Sequence, residues 1–546
     1  MKRNCVYRIA VFVLAAVMLS CSACKKNSGE TEKIIPSATN TQKATSVPTV
    51  TKSKGELALP IPENAVRDNP YSVTTEEMRT MYSLMYEPLI DIDDTGKLVP
   101  ELAQSWVRDE QNSKAWIISL RTNVKWHSGA DFEADDVVFS VNTLKGYLAK
   151  DDASQYYSHC AMHIDSVERI DEKTIRVKFD SAGYNALYAL NFPIVCKQSW
   201  QTDPKNGTGS YKPAASDAKS VTLVLNENWW KENAHIKQIR FEERLNNETA
   251  LASYGAGQLN FVPTSNLSAG KYRKEGVTNV LDVMTQDMEM LLFNYSNSLM
   301  YDMNIKRAIA CGIDRSKLIT NVYMNRAQTS DVPFAPDSWL YSTQYSKIEY
   351  NIDKANMLLE NAGYRDSDGD GIREKDGNPL NKLSFTLLVS KSTDNTARKN
   401  AAEQIATQLA QCGIEIIVDA KNYTLGDPDS EYLKALAEGE FDIALSGVNL
   451  PQNGDVTEFF KSDGAVNFGR MWDEKLLDLS NAVNAATDEV QMRECAYELQ
   501  SAFVDKLPFV VLYFRLNSIV YSNDLKGIGQ VREPDIMNGL DSWYFE

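Results

Sequence analysis

Groups that enzymes use for chemistry are scarce in this chain. It holds four histidines in 546 residues: His127, His159, His163 and His235. There is no G-x-S-x-G elbow, P-loop, H-E-x-x-H or pair of C-x-x-C motifs, so the usual sequence carriers of hydrolase, nucleotide and zinc chemistry are missing. Gly255-Ala256-Gly257 and Gly527-Ile528-Gly529 both lack the last glycine of a dinucleotide fingerprint. Positive charge is short as well. Lys and Arg number 57 against 74 Asp and Glu, a formal charge of −17, which argues against nucleic acid or an anionic membrane surface as partner. Such acidity suits a cationic ligand or simply a solvated surface. Beyond the N-terminal region, Cys160, Cys196, Cys311, Cys412 and Cys495 are odd in number and widely spaced, so no disulfide framework follows. Long apolar runs are absent after residue 19.

What is present begins with a leader. Lys2, Arg3 and Arg8 precede an apolar run over 9–19 that is short for a bilayer span and has the layout of a secretory signal. Met18-Leu19-Ser20-Cys21 resembles a lipobox, which makes Cys21 the expected lipidation site and Cys24 its rival. Residues 27–54 are rich in Ser, Thr, Lys and Pro and poor in large apolar side chains. Such a segment cannot bury enough surface to fold and is expected to act as a tether spanning about 30 Å. The remainder is long enough for two or three domains. Strand alternation recurs at Ile175-Val177-Phe179, Val221-Leu223-Leu225, Phe385-Leu387-Val389 and from Phe441 to Leu445. Helical spacing recurs from Met78 to Met85, from Asp353 to Asn361 and from Thr396 to Gln411, the last two stopping at Gly363 and Gly413. This mixture predicts α/β lobes.

One stretch is more specific. WIISLRTNVKWHSGADFEADDVVFS, residues 116–140, reads as strand, turn and helix, with Glu133, Asp135 and Asp136 at the helix start. As a string it resembles the signature of the family 5 solute-binding proteins of ABC importers, with Glu133 where the family usually has Thr. Further landmarks of that family follow in order: Tyr86-Glu87-Pro88-Leu89, Val99 to Trp106, Asn206-Gly207-Thr208-Gly209-Ser210-Tyr211, Asn228-Trp229-Trp230-Lys231 and Tyr254 to Leu259. Phe293-Asn294, Arg307-Ala308-Ile309, Ile313-Asp314-Arg315 and Ala355 to Asp366 complete the series.

The resemblance implies a two-lobed, type II periplasmic-binding-protein-like α/β fold with an additional inserted domain. On that layout residues 1–20 are the signal, 21–55 the tether, and 56–85, 196–285 and 510–546 the first lobe. Residues 86–195 form the inserted domain and 286–509 the second lobe, with chain crossings near Val283 to Leu292 and Leu507 to Tyr513. It also implies a lipid-anchored, monomeric, non-catalytic receptor on the outer face of a Gram-positive cell membrane. That receptor would use no cofactor and would deliver a small ligand, a peptide by family frequency, to the importer's permease subunits. A secreted hydrolase on peptide or cell-wall material is the alternative from another class, because a carboxylate pair is invisible in sequence. A binding-only peptide sensor is a third reading.

Ligand contacts implied by the resemblance fall in two loops and two single positions. The first loop is Pro70 to Glu76, with Tyr71, Thr74, Thr75 and Glu76; Thr74 or Thr75 equally suits the cap of the helix at Met78. The second follows the strand at Phe441, where peptide-binding relatives carry an acid for the ligand amine. Here Asn449 and Gln452 take that place and Asp455 is the nearest acid. Asn294 and Trp339 are the single positions. No metal site is expected. His159, Cys160 and His163 read as a coincidence. Asp366-Ser367-Asp368-Gly369-Asp370-Gly371 resembles the front of a calcium loop, but its twelfth position is Gly377, so it reads as a tight surface turn, with weak calcium binding as the alternative.

Overall fold

The computed structural model describes residues 55–65, 68–149, 156–217, 219–345, 348–392, 396–424, 426–529 and 531–546. The leader, Cys21, Cys24 and all of the tether before residue 55 lie outside the described residues. Among the described residues no helix is long and apolar enough to cross a membrane.

Three sheets organise the chain. The first has the order Glu56–Pro62, Gln238–Arg244, Ser220–Leu225, Tyr211–Ser216, parallel at its first pair and antiparallel after it. The second is antiparallel throughout, with Ala103–Arg108, Ala115–Leu120, Thr174–Phe179 and Ile164–Arg169. Its alternation is the one expected from sequence, since Ile175, Val177 and Phe179 are fully buried.

The third sheet holds Phe261–Thr264, Phe509–Ser522, Thr278–Phe293, Ile443–Asn449, Ser384–Lys391 and Glu415–Asn422, with Ala327–Gln328 beside Phe509–Ser522. Ser384–Lys391 lies between two parallel neighbours and connects to them through helices Ala397–Ala410 and Glu431–Glu438. Burial on both faces explains its nearly continuous apolar run. The long strands Thr278–Phe293 and Phe509–Ser522 pair along most of their length. Phe509–Ser522 also pairs with Phe261–Thr264 near its C-terminal end, and Thr278–Phe293 with Ile443–Asn449 over its second half. The helices that follow Asp353 and Thr396 stop as expected, with Gly363 at φ +83 and Gly413 at φ +74.

The recurring landmarks prove to be folding contacts. Gly207 and Gly209 lie so close to the Met85 and Leu84 carbonyls that a Cβ at either would overlap main-chain atoms. His127 Nδ1 accepts the Gly207 N–H at 3.2 Å, so its Nε2 carries the proton and donates to the Gly209 carbonyl at 3.1 Å. Burial holds this imidazole neutral, down at about 4. Glu87 accepts from the indole N–H groups of Trp229 and Trp230 at 2.9 and 3.0 Å. The helix Ala134–Ala149 manages without a hydroxyl cap because Asp136 reaches back to the Glu133 N–H at 3.0 Å. The same carboxylate accepts from Trp126 Nε1 at 3.1 Å and from the Lys197 N–H at 2.9 Å.

Residues 184–190 bring the segment after the second sheet onto the C-terminal helices. Tyr184 donates its N–H to the Ala486 carbonyl at 2.6 Å and its hydroxyl to Glu489 at 2.9 Å. Lys97 pairs with Glu489 at 2.8 Å.

Candidate ligand-binding site

Several residues expected to meet a ligand are occupied in holding the fold. Tyr71 is fully buried, its hydroxyl donating to the Pro193 carbonyl at 2.8 Å and its ring packed between Tyr147 and Trp200. Asn294 gives its amide protons to the carbonyls of Phe441 and Gly439 at 2.7 and 3.1 Å, and its oxygen accepts the Ser296 N–H at 3.0 Å. Asp455 accepts the N–H and hydroxyl of Thr457 at 2.9 and 2.7 Å, closing a turn. Tyr71 and Asn294 are thus buried and hydrogen-bonded within the fold, while Asp455 is half-buried and receives both of these bonds on Oδ1. Thr75 is the cap of helix Glu76–Ser83, accepting the Met78 N–H at 3.3 Å. Trp339 donates to the Gly96 carbonyl at 3.1 Å and sits beside the Tyr188 hydroxyl at 3.3 Å. Gln452 is half-buried, its carbonyl close to Gly96. Thr74 and Glu76 are exposed.

Around Glu76 stand charged groups that no pattern in the sequence marks. Between Met284 and Met288 the two long strands lose register, so that residues 285–287 face Arg515 alone. Thr285 fixes this bulge by donating its hydroxyl to the Arg515 carbonyl at 2.8 Å and accepting the Asp287 N–H at 3.0 Å. The Gln286 carbonyl accepts the Leu450 N–H at 2.9 Å. Bulges re-aim side chains in this way, and here the one re-aimed is Asp287. Asn449, in register with it, donates its side-chain amide to Asp287 Oδ1 at 2.8 Å. The C-terminal segment seats on the same bulge through the Glu533 N–H and the Met284 carbonyl, 3.1 Å apart. Asn517 donates to Glu533 Oε1 at 2.6 Å.

Asp287 raises the proton affinity of both Glu76 and Glu533, which sets these carboxyls in one neighbourhood. Desolvation by the surrounding protein raises the Glu76 carboxyl, Arg79 opposes it, and Glu77 and Asp287 raise it further. Burial lifts Glu533 to about 8 against the Asn517 hydrogen bond, and Glu76, Asp287 and Glu77 add to the rise. Asp287 is also raised by burial, with Arg515 the main opposing charge. Asp535 rises to about 6 through burial and the nearby Asp91, and Arg79 again opposes. Glu76 nevertheless keeps its side chain in solvent. Carboxyls crowded like this hold one another's protons until a cation arrives.

The two histidines flagged as an incidental metal pair diverge. Cys160 Sγ lies 3.3 Å from His159, whereas His163 pairs with Asp180 at 2.9 Å.

The sheets and the helices between their strands make a mixed α/β architecture. The family model for bacterial extracellular solute-binding proteins, family 5 (middle region), matches residues 97–465, and the chain belongs to that family. It is 23% identical over 576 residues to the oligopeptide-binding protein AppA of Bacillus subtilis, covering 100% of this chain and 99% of the relative. It is 25% identical over 486 residues to the nickel-binding periplasmic protein of Escherichia coli, covering 81% and 85%. A crystal structure of an ABC transporter substrate-binding protein from Sinorhizobium meliloti superposes with a TM-score of 0.75 at 20% identity, covering 90% of this chain and 100% of the other. The fold is the two-lobed type II arrangement with an extra domain. Family membership makes the protein an extracytoplasmic solute-binding component of an ABC importer, a binder and not a catalyst.

Proposed function

We propose that the solute is positively charged, a peptide with a free amino terminus, and that its ammonium group is held by Asp287 with Glu76 and Glu533 around it. The observation that carries this reading is the seating of Asp287 beside Asn449. Asn449 occupies the position at which the resemblance leads one to expect an acid. The acid is supplied instead from the neighbouring strand, one hydrogen bond away. An ammonium about 4 Å from a carboxylate gains about 4 kcal/mol at the effective dielectric of a protein surface, and a neutral amide lacks that Coulomb term. The crowding of Glu76, Glu77, Asp287 and Glu533 favours a cation over a neutral or anionic solute. The oligopeptide-binding relative is consistent with a peptide.

The long strands Thr278–Phe293 and Phe509–Ser522 are the proposed crossings about which the lobes close. Residues 56–85, 196–285 and 510–546 form one lobe, 286–509 the other and 86–195 the insertion. Thr74 and Gln452 are proposed to meet the ligand at the mouth, with Trp339 as a wall. Lipidation at Cys21, attachment to the outer face of the membrane and a monomeric receptor complete the proposal. Mass spectrometry of solute released from the purified protein tests it. Recovery of peptides with free amino termini supports the reading, and recovery of a sugar, an anion or a metal complex overturns it.

A further inference from the structure

The acidic turn at 366–374 carries a feature that a plain surface turn leaves unexplained. Glu374 is fully buried, and its Oε2 accepts the Ser367 N–H at 2.9 Å. Its Oε1 is buried with no hydrogen-bond partner. An isolated buried carboxylate oxygen costs free energy that native structures avoid. Around it stand Asp366, Asp368 and Asp370, and one carboxylate oxygen from each of the four lies within 4.8 Å of the others. Four protein carboxylates offered together suit calcium, which takes six to eight oxygens in flexible geometry, better than magnesium, which keeps several of its waters.

We propose that residues 366–374 form a calcium site whose ligands are Asp366, Asp368, Asp370 and Glu374. The spacing is that of loop positions one, three, five and nine. Gly371 falls at position six, where such loops need a sharp turn, and has φ +89. Loop closure is through position nine, so Gly377 at position twelve is no obstacle. Asp366 accepts the N–H groups of Gly369 and Gly371 at 2.7 and 3.1 Å, and Asp368 and Asp370 accept those of Asp370 and Ile372 at 3.1 and 2.9 Å. Each carboxylate retains lone pairs for a metal. Lys382 pairs with Asp370 and lies 4.0 Å from Asp368. One ammonium against four carboxylates leaves a deficit that a divalent cation removes. The site clamps the hairpin of Tyr364–Arg365 and Glu374–Lys375, between helix Ile352–Asn361 and strand Ser384–Lys391.

Protein stripped with a chelator is titrated with CaCl2, MgCl2 and, at matched ionic strength, NaCl, followed by calorimetry and thermal unfolding. Calcium is expected to bind once per chain and to raise the midpoint by several degrees, with magnesium at least tenfold weaker. Asp368→Asn and Glu374→Gln are expected to weaken calcium at least tenfold. Asp368 is exposed, so its variant decides the matter even if the buried Glu374→Gln fails to fold. No calcium heat above the NaCl control, or wild-type calcium binding by Asp368→Asn, would overturn the proposal.

Discussion

Asp287 and Glu289 stand two residues apart on one strand, and they are treated in opposite ways. Glu289 is almost completely buried and receives a bidentate guanidinium, Arg398 Nη2 at 2.7 Å and Nε at 2.9 Å, while Arg398 Nη1 donates to Ser390 at 3.2 Å. Gly447, in register with Glu289, leaves room for that guanidinium, since a Cβ there would collide with Arg398. Asp287 is buried too, with the Asn449 amide on its Oδ1 and Arg515 as the main opposing charge, and it raises the proton affinity of Glu76 and Glu533. On the proposed reading, the difference separates a charge paired for the fold from one that a solute can reach. A buried carboxylate with a matched partner is held by geometry. A group of carboxylates in excess of its cations keeps raised pKa values and waits for a positive group.

The contrast predicts effects of different size and kind. Arg398→Leu strands the Glu289 carboxylate and is expected to cost about 3–5 kcal/mol of stability in urea unfolding. Gly447→Ala pushes the guanidinium aside and should cost about 1–3 kcal/mol in the same assay. Asp287→Asn should leave stability unchanged or slightly higher, because a raised carboxyl is lost. It should weaken a free-amine peptide about 10–100-fold by calorimetry, equivalent to about 1.4–2.8 kcal/mol. If Asp287→Asn instead unfolds the protein as Arg398→Leu does, the two acids are alike and the distinction fails.

A smaller effect concerns pH. Folding raises Glu533 to about 8 from an ordinary 4.5, and Glu76 in the same direction, so the folded state holds protons that the unfolded state has released. Ligand-free stability from these groups is therefore greatest below about 4.5 and declines as pH rises towards 8. Affinity for an amine should move the other way, tightening several-fold from pH 5 to 7 as the carboxyls ionise. Above pH 8 a terminal amine loses its own charge and affinity falls again. Calorimetry across pH in buffers of different ionisation enthalpy checks both the trend and the proton release on binding.

Much of the fold is legible in the sequence, because strand and helix periods, glycine stops and the landmark strings report local geometry. Ile175, Val177 and Phe179 alternate as they are buried, and Gly363 and Gly413 end helices where their freedom is needed. The site is far less legible. The loop before Glu76 and the loop that holds Asp455 are legible as positions, but the hydrogen bonds that hold Tyr71, Asn294 and Asp455 join residues far apart in sequence or depend on turn geometry. Asp287 was hidden because a bulge sets its direction, and no periodicity marks a bulge. Glu533 joins it from about 250 residues away along the chain. One signal was available: the stretch MEMLLF after Asp287 is apolar but for Glu289, and two acids so close to such a run each need a partner or a purpose. The partner of Glu289 proved to be Arg398.

The most direct test pairs Asp287→Asn with loss of the ligand's charge. Affinities of wild-type and variant protein are measured by calorimetry for one peptide with a free amino terminus and for its N-acetylated form. The account predicts that acetylation and substitution each weaken binding about 10–100-fold, and that both together weaken it little more than either alone. Wild-type protein that binds the acetylated peptide as tightly as the free one, or effects that simply add, would contradict it.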